Sequence, residues 1–292
     1  MTDANRKTIF VTGANSGLGK ALALAFARDG MRVGMLVRDQ ARGQKARDEI
    51  VAATDNQDID LFVADLGSQQ EVRRAAAEIL DRFERIDILI NNAGTAYARR
   101  CMSPEGIERS LAVNHLGPFQ LTGLLLDRIK SSAPARIVNV GTKMNTAMDF
   151  EDLDWTRRRY RMMQAYGQSK LGNLHFTFEL ARRLEGTGVT VNCVFPGVFR
   201  SNLGGTDGAQ GVFWKAVDRL LGWAIPTPEK VAERVLHAAR SIDLAGITGE
   251  YLDDRRPIKP PAQALDRDAN RRLWTISERL VGLAPDQVPP TA

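Results

Sequence analysis

Few folds accommodate the stretch Thr12-Gly-Ala-Asn-Ser-Gly-Leu-Gly19 in its setting. Before it, the short β-branched and aromatic run Thr8-Ile-Phe-Val11 reads as a buried strand, and after it an Ala- and Leu-rich helix continues from Ala21 to Arg28. Gly13, Gly17 and Gly19 together allow a tight turn, close approach of backbone to a phosphate, and close contact of helix with strand. The phosphates would lie at the positive end of the helix. The spacing is G-x-x-x-G-x-G and not the commoner G-x-G-x-x-G, yet strand before, helix after and a position at the chain's start favour a dinucleotide site over a flexible loop.

A chain of 292 residues fits one large α/β domain or two small ones, and no internal repeat or interdomain linker divides it. Hydrophobic residues make up 43% and charged residues 26%, which excludes a disordered chain. The formal charge of +5 is spread without a long Lys/Arg run, which argues for solubility and against a nucleic-acid partner. Cys101 and Cys193 lie far apart and form no CxxC or Cys/His cluster, so both read as free thiols, and no zinc site is expected. The polar start, Met1 to Lys7, has no apolar leader, and no uncharged run of about 18 residues follows. The expected location is cytoplasmic.

Met31 to Val37 reads as a second strand, ending at Arg38. NAD-preferring sites usually carry a carboxylate here for the adenosine ribose, but Val37 leaves that place empty and Arg38 can meet a 2′-phosphate. Its alternative is a solvated arginine in a charged loop, with Asp39 as ion-pair partner or competing ribose ligand. Ile59 to Ala64 is a third strand, followed by Asp65-Leu66 and an amphipathic helix over 69–84; Asp65 could bond an adenine amino group or cap that helix. A fourth strand, Asp87 to Ile90, runs into Asn91-Asn92-Ala93-Gly94, where small residues let a loop approach a ligand. In the helical pattern from Ile107 to Leu126, Asn114 is either a satisfied structural amide or part of a proton relay, and His115 is structural. Arg136 to Val140 is a fifth strand, ending in Gly141-Thr142-Lys143.

Between Met144 and Arg161 the chain is irregular and charge-rich, and its carboxylates (Asp149, Glu151, Asp152, Asp154) read as surface ion pairs in preference to metal ligands. Tyr166-Gly-Gln-Ser-Lys170 follows, on a helix running to about Glu185. Phenol and ammonium, one turn apart, share a face, and a nearby cation is expected to lower the phenol's pKa toward acid/base duty. Tyr160 has no lysine four residues later. Val189 to Phe195 is a sixth strand ending at Pro196-Gly197, and about 198–225 reads as a substrate loop and apolar lid; a packed core helix or contact with a membrane surface are its alternatives. A helix from Pro226-Thr-Pro228 to about Ser241, a strand over Gly249 to Asp253 and a closing helix near 266–282 complete the chain.

The ordered set Thr12 to Gly19, Asp65-Leu66, Asn91 to Gly94, Asn114 and Tyr166-x-x-x-Lys170 resembles the short-chain dehydrogenase/reductase family. Phe150-Glu-Asp-Leu-Asp-Trp155, Tyr166-Gly-Gln-Ser-Lys-Leu-Gly-Asn173, Glu179-Leu-Ala-Arg-Arg-Leu184 and Pro196-Gly-Val198 are similar to its retinol dehydrogenase branch. The resemblance implies a single-domain Rossmann fold over 1–292, a doubly wound parallel sheet of about seven strands. It implies Tyr166 as acid/base, Lys170 lowering its pKa and holding the nicotinamide ribose, Asn114 in a water-linked relay, and Thr142 where the family usually has Ser. With Arg38, the implied NADP(H) contacts are Gly13, Asn15, Ser16, Gly17, Leu18, Gly19, Asp65, Leu66, Asn92, Ala93, Gly94, Tyr166, Lys170, Pro196, Gly197 and Val198. The reaction implied is hydride transfer between a hydrophobic ketone or aldehyde and its alcohol, by a soluble homodimer or homotetramer without the branch's membrane anchor. A catalytically silent NADP(H)-binding sensor on the same fold is the other reading, which Thr142 keeps open.

Overall fold

The computed structural model describes residues 6–197 and 226–283. They form an α/β domain around an eight-stranded sheet ordered β3-β2-β1-β4-β5-β6-β7-β8. The first seven strands, β1 (Thr8–Thr12), β2 (Arg32–Val37), β3 (Ile59–Val63), β4 (Ile88–Asn91), β5 (Ala135–Val140), β6 (Val189–Phe195) and β7 (Tyr251–Asp253), are parallel, as expected. The eighth, β8 (Arg256–Pro257), is a two-residue antiparallel edge, where a proline costs no sheet hydrogen bond. Strands buried on both faces read as near-continuous apolar runs, and all five residues of β1, Thr-Ile-Phe-Val-Thr, are buried.

Strand side chains alternate between two cores. Phe10, Val191 and Cys193 face helices α3 (Gln69–Arg82), α5 (Gly117–Ser131), α6 (Met162–Arg183) and α9 (Arg267–Val281). Ile9, Val11 and Val194 face α1 (Gly17–Arg28), α2 (Gln40–Thr54) and α7 (Pro228–Arg240). Strand order reverses between β1 and β4, and the chain leaves these neighbouring strands toward opposite faces. That opens a crevice at their carboxyl ends.

Local chemistry sets most boundaries. Ser68 caps α3, Thr227 caps α7 with Pro228 in its first turn, Asp266 caps α9, and Gly282, at φ 60°, ends it. Helix α2 carries no strong sequence signal, because its buried face holds only Gly43, Ala46 and Ile50. Asp39 is its cap and accepts from the Arg42 N–H at 2.9 Å, so this stretch is not a charged loop. The expected Ile107 to Leu126 helix is a composite of α4 (Arg109–Leu111), a π-turn (Ala112–Leu116) and α5. A short helix, α8 (Ala262–Leu265), precedes α9.

The charge-rich excursion is only partly a set of surface ion pairs. Asp152 is buried, and one of its carboxylate oxygens accepts from Thr156 N, Thr156 Oγ1 and Arg157 N. It organises a turn in which buried Trp155 adopts φ 57°. No helix among the described residues is long and apolar enough to cross a membrane. The lid expected over 198–225, with Val198, lies outside the described residues.

Candidate active site

The glycine turn has little slack. Gly13 and Gly17 adopt φ 68° and 52°, conformations that L side chains rarely take. A Cβ on Gly19 would stand 2.2 Å from the Gly13 carbonyl oxygen. Ser16 precedes α1 without capping it through its side chain, so the first N–H groups of the helix have no side-chain cap to compete with an anion. Leu18 is buried in the core of α1 and anchors the turn from behind, with half-buried Asn15 beside it.

Thr12 ties this turn to the loop after β4. Its hydroxyl accepts from the Asn92 and Ala93 N–H groups, both at 3.0 Å, and Asn92 Nδ2 donates to Thr12 O at 2.8 Å. The Asn92 side chain is thus a brace between β1 and β4, a role that its loop position did not reveal. At Gly94 an added Cβ would lie 3.2 Å from Lys170 Nζ and 3.6 Å from Asn114 Oδ1. Side chains from two separate elements therefore converge on Gly94.

Asn114 sits in the π-turn, a distortion that often marks functional sites. Its Oδ1 accepts from Thr95 N at 2.8 Å, and its Nδ2 donates to Thr95 O at 2.8 Å and to Ser169 Oγ at 2.9 Å. The amide side chain is thus satisfied within the protein. Ser169 Oγ passes the link on, donating to Tyr166 O at 2.7 Å. His115, in the same turn, is buried and meets Ser277 at 2.8 Å, as a structural histidine should.

Tyr166 and Lys170 ride on α6, whose residues are buried almost throughout from Ala165 to Ala181. Lys170 Nζ donates to Val140 O at 2.9 Å, which fixes the helix against the end of β5. Two residues beyond that end stands Thr142, half-buried. Burial pushes the Tyr166 phenol up to about 12, against the lowering expected from a neighbouring cation. The same burial brings Lys170 down to about 8. Desolvation is the leading cause for both groups. Tyr160 is a pin: its hydroxyl donates to Tyr97 O at 3.1 Å and lies 3.3 Å from Glu108 Oε1.

At the far end of the crevice Arg38 is exposed, with no hydrogen bond or ion pair among the described residues. Asp65 neither caps α3 nor stands free. Its Oδ1 accepts from Gly67 N at 2.8 Å, its Oδ2 takes Arg109 Nη2 at 2.6 Å, and Ser68 does the capping. Leu66 is buried, its carbonyl packed so close to Gly117 that a Cβ there would lie 2.4 Å away. After β6, Pro196 leads to Gly197 at φ 97°, beside Arg234 of α7. Sequence reading missed Arg109 and Ser169, because the site partners that give them a role, Asp65 and Asn114, lie 44 and 55 residues away.

Comparison with known proteins agrees with this arrangement. The family model for short chain dehydrogenase matches residues 7–210. Human retinol dehydrogenase 13 is 41% identical over 286 residues, 97% of this chain and 86% of its own. Mouse retinol dehydrogenase 14 is 42% identical over 95% of this chain and 86% of its own. A crystal structure of an uncharacterised protein from Mycobacterium paratuberculosis superposes with a TM-score of 0.75 at 31% identity, covering 97% of both chains. The NADP complex of Pseudomonas aeruginosa RhlG gives 0.66 at 25% identity, over 85% of this chain and 94% of its own. Brucella melitensis 3-ketoacyl-(acyl-carrier-protein) reductase with NADH gives 0.64 at 25% identity, over 85% and 96%. Sequence likeness across nearly the whole chain, on this sheet and with this glycine turn, makes the protein a member of the short-chain dehydrogenase/reductase family, retinol dehydrogenase-like.

Proposed function

We propose that the protein is an NADP(H)-dependent oxidoreductase that interconverts a hydrophobic ketone or aldehyde and its alcohol, with Tyr166 as acid/base. The observation that carries this reading is the anchoring of Lys170 on Val140 O and beside Gly94, by which the helix that also bears Tyr166 sets its ammonium at the strand end leading to Thr142. Relatives named retinol dehydrogenases support an apolar substrate of retinoid-like chemistry.

The residues present fit a dinucleotide. Gly13, Gly17 and Gly19 leave room where side chains would intrude, and the start of α1 would hold the phosphates. Unpaired Arg38 suits a 2′-phosphate, whereas Asp39 is already engaged as the cap of α2. Asp65 is held by Arg109, so Leu66, Ala93 and Gly94 would border the cofactor chiefly through backbone. Pro196 and Gly197 would border the nicotinamide. The NADP and NADH complexes of the two bacterial structures support this class of cofactor.

When bound, the nicotinamide supplies or accepts the hydride. On the protein's side, Tyr166 donates its phenolic proton to the substrate oxygen as negative charge develops there. Thr142 Oγ1 donates a hydrogen bond to the same oxygen, and its methyl narrows the pocket. Lys170, charged below about 8, favours the phenolate that Tyr166 leaves behind and would hold the nicotinamide ribose. Alcohol oxidation uses the same groups in reverse.

The test measures consumption of NADPH and of NADH with a panel of hydrophobic aldehydes and ketones, for the native protein and for Tyr166→Phe. Turnover that prefers NADPH and is lost in the variant is the expected result. Equal rates with NADH would remove the role of Arg38. NADPH binding without turnover in either protein would favour the silent sensor.

A further inference from the structure

One carboxylate outside the family's motif set ties together two turns of the candidate site. Asp253 ends β7 in register with Phe195, the last residue of β6. Lys143, directly after Thr142, bonds its Oδ2 across 110 residues of sequence. Arg234 Nη1, from α7, donates to its Oδ1 at 2.8 Å. Lys143 reaches Asp253 along the Phe195 ring, with Nζ 5.2 Å from the ring centre. Arg234 in turn lies under the turn after β6, since a Cβ on Gly197 would be 3.0 Å from its Nη1.

An exposed ion pair would be worth little. Here the Asp253 side chain is 21% exposed, against 45% for Lys143 and 31% for Arg234, and what distinguishes it is that one carboxylate serves two cations from two elements. Arg234 has a second contact, Asp254 at 3.7 Å, but Lys143 has no other acceptor among the described residues. Loss of the carboxylate therefore frees Lys143 first, and with it the turn that carries Thr142.

We propose that Asp253 is a positioning residue: through Lys143 and Arg234 it holds the Gly141–Lys143 turn and the Pro196–Gly197 turn at the separation that reaction at Thr142 requires. This rests on the roles given above to Thr142 and Tyr166. Both Asp253 oxygens are taken up by Lys143 and Arg234, so its loss should lower kcat more than it changes cofactor affinity, which the glycine turn dominates.

The full-length protein and its Asp253→Asn, Asp253→Glu and Lys143→Met variants are compared for kcat, KM, NADPH affinity by fluorescence titration, melting temperature and amide hydrogen exchange. The expected Asp253→Asn result is a fall in kcat of about tenfold, the scale of a sub-ångström misplacement, with KM changed less than about threefold. Exchange should quicken at the two turns, including the Gly141 amide bonded to Val194 O at 2.8 Å. Asp253→Glu should recover most of the rate, and Lys143→Met should loosen the β5 turn alone. Unchanged kcat and unchanged exchange in Asp253→Asn would overturn the proposal. So would faster exchange across the whole sheet with a fall in melting temperature, the mark of a merely structural residue. If the native protein turns over nothing in the panel, the proposed reaction fails, and exchange decides about Asp253 alone: quickening confined to the two turns upholds the clamp, and unchanged protection rejects it.

Discussion

At Gly19 there is no space for one more carbon. A Cβ would lie 2.2 Å from Gly13 O and 2.6 Å from Asn92 Nδ2, so Gly19→Ala must push α1 away from β1 or break the Asn92 brace. Overpacking of this kind costs about 1–3 kcal/mol. The expected outcome is that loss in denaturant unfolding together with at least about tenfold weaker NADPH binding by fluorescence titration. Arg38 makes the opposite case, because it is exposed and makes no hydrogen bond or ion pair among the described residues. Arg38→Ser should leave stability within about 0.5 kcal/mol, as surface changes do. Binding assays should show it weakening NADPH about tenfold or more while NADH changes little, the loss of one charge-assisted contact. For Tyr166→Phe, kinetics should show a fall of about 100- to 10,000-fold in turnover with cofactor affinity nearly intact. The glycines, Tyr166 and Lys170 were legible because their spacing is local. The engagement of Asn92 with Thr12, and of Asp65 with Arg109, was not, since those partners stand 80 and 44 residues away.

Helix α6 shows how elements hold the candidate site. Gln168, two residues beyond Tyr166, donates from Nε2 to Leu153 O at 3.0 Å and accepts from Arg158 Nη2 at 2.5 Å, which bolts the Asp152 turn to the helix. On the other side α9 is clasped by two buried histidines, His115 meeting Ser277 at 2.8 Å and His175 meeting Asn270. Burial holds both imidazoles below their ordinary value of 6.5, and His115 falls to about 3, with His175 nearby adding to the effect. The unfolded chain therefore takes up protons that the folded chain refuses. Stability is full above pH 6.5 and drops as pH falls from there toward 3. The slope from His115 alone should reach about 1.4 kcal/mol per pH unit between these limits, and His175 adds to it in the same direction. Melting temperatures taken from pH 7.5 to about 4 should reveal this, and His115→Asn should flatten the curve. The histidine in the π-turn was readable as structural from its apolar neighbours. The clasp was not, because Ser277 is 162 residues further along the chain.

The two faces of the sheet are not equivalent. On the α6 side, Trp274 of α9 stacks on Phe176 with ring centres 6.0 Å apart and meets Phe119 edge-on at 4.8 Å, joining α5, α6 and α9 in one core. Trp274→Ala should cost about 3–5 kcal/mol in denaturant unfolding. Because the glycine turn faces the other core through α1, NADPH affinity at temperatures where the variant is folded should change less than about threefold. The seven parallel strands and the glycine turn could be read in advance, though not the short antiparallel eighth, since buried parallel strands are mostly apolar and a strand–glycine–helix junction is contiguous in sequence. Helix α2 could not, because Gly43, Ala46 and Ile50 offer too small an apolar face. What only the folded molecule decided was which polar groups are already engaged, and which way burial moves Tyr166 and Lys170. The physical reason is that local order follows from neighbours along the chain, whereas hydrogen-bond partners and desolvation are set by residues that only the tertiary fold brings within reach.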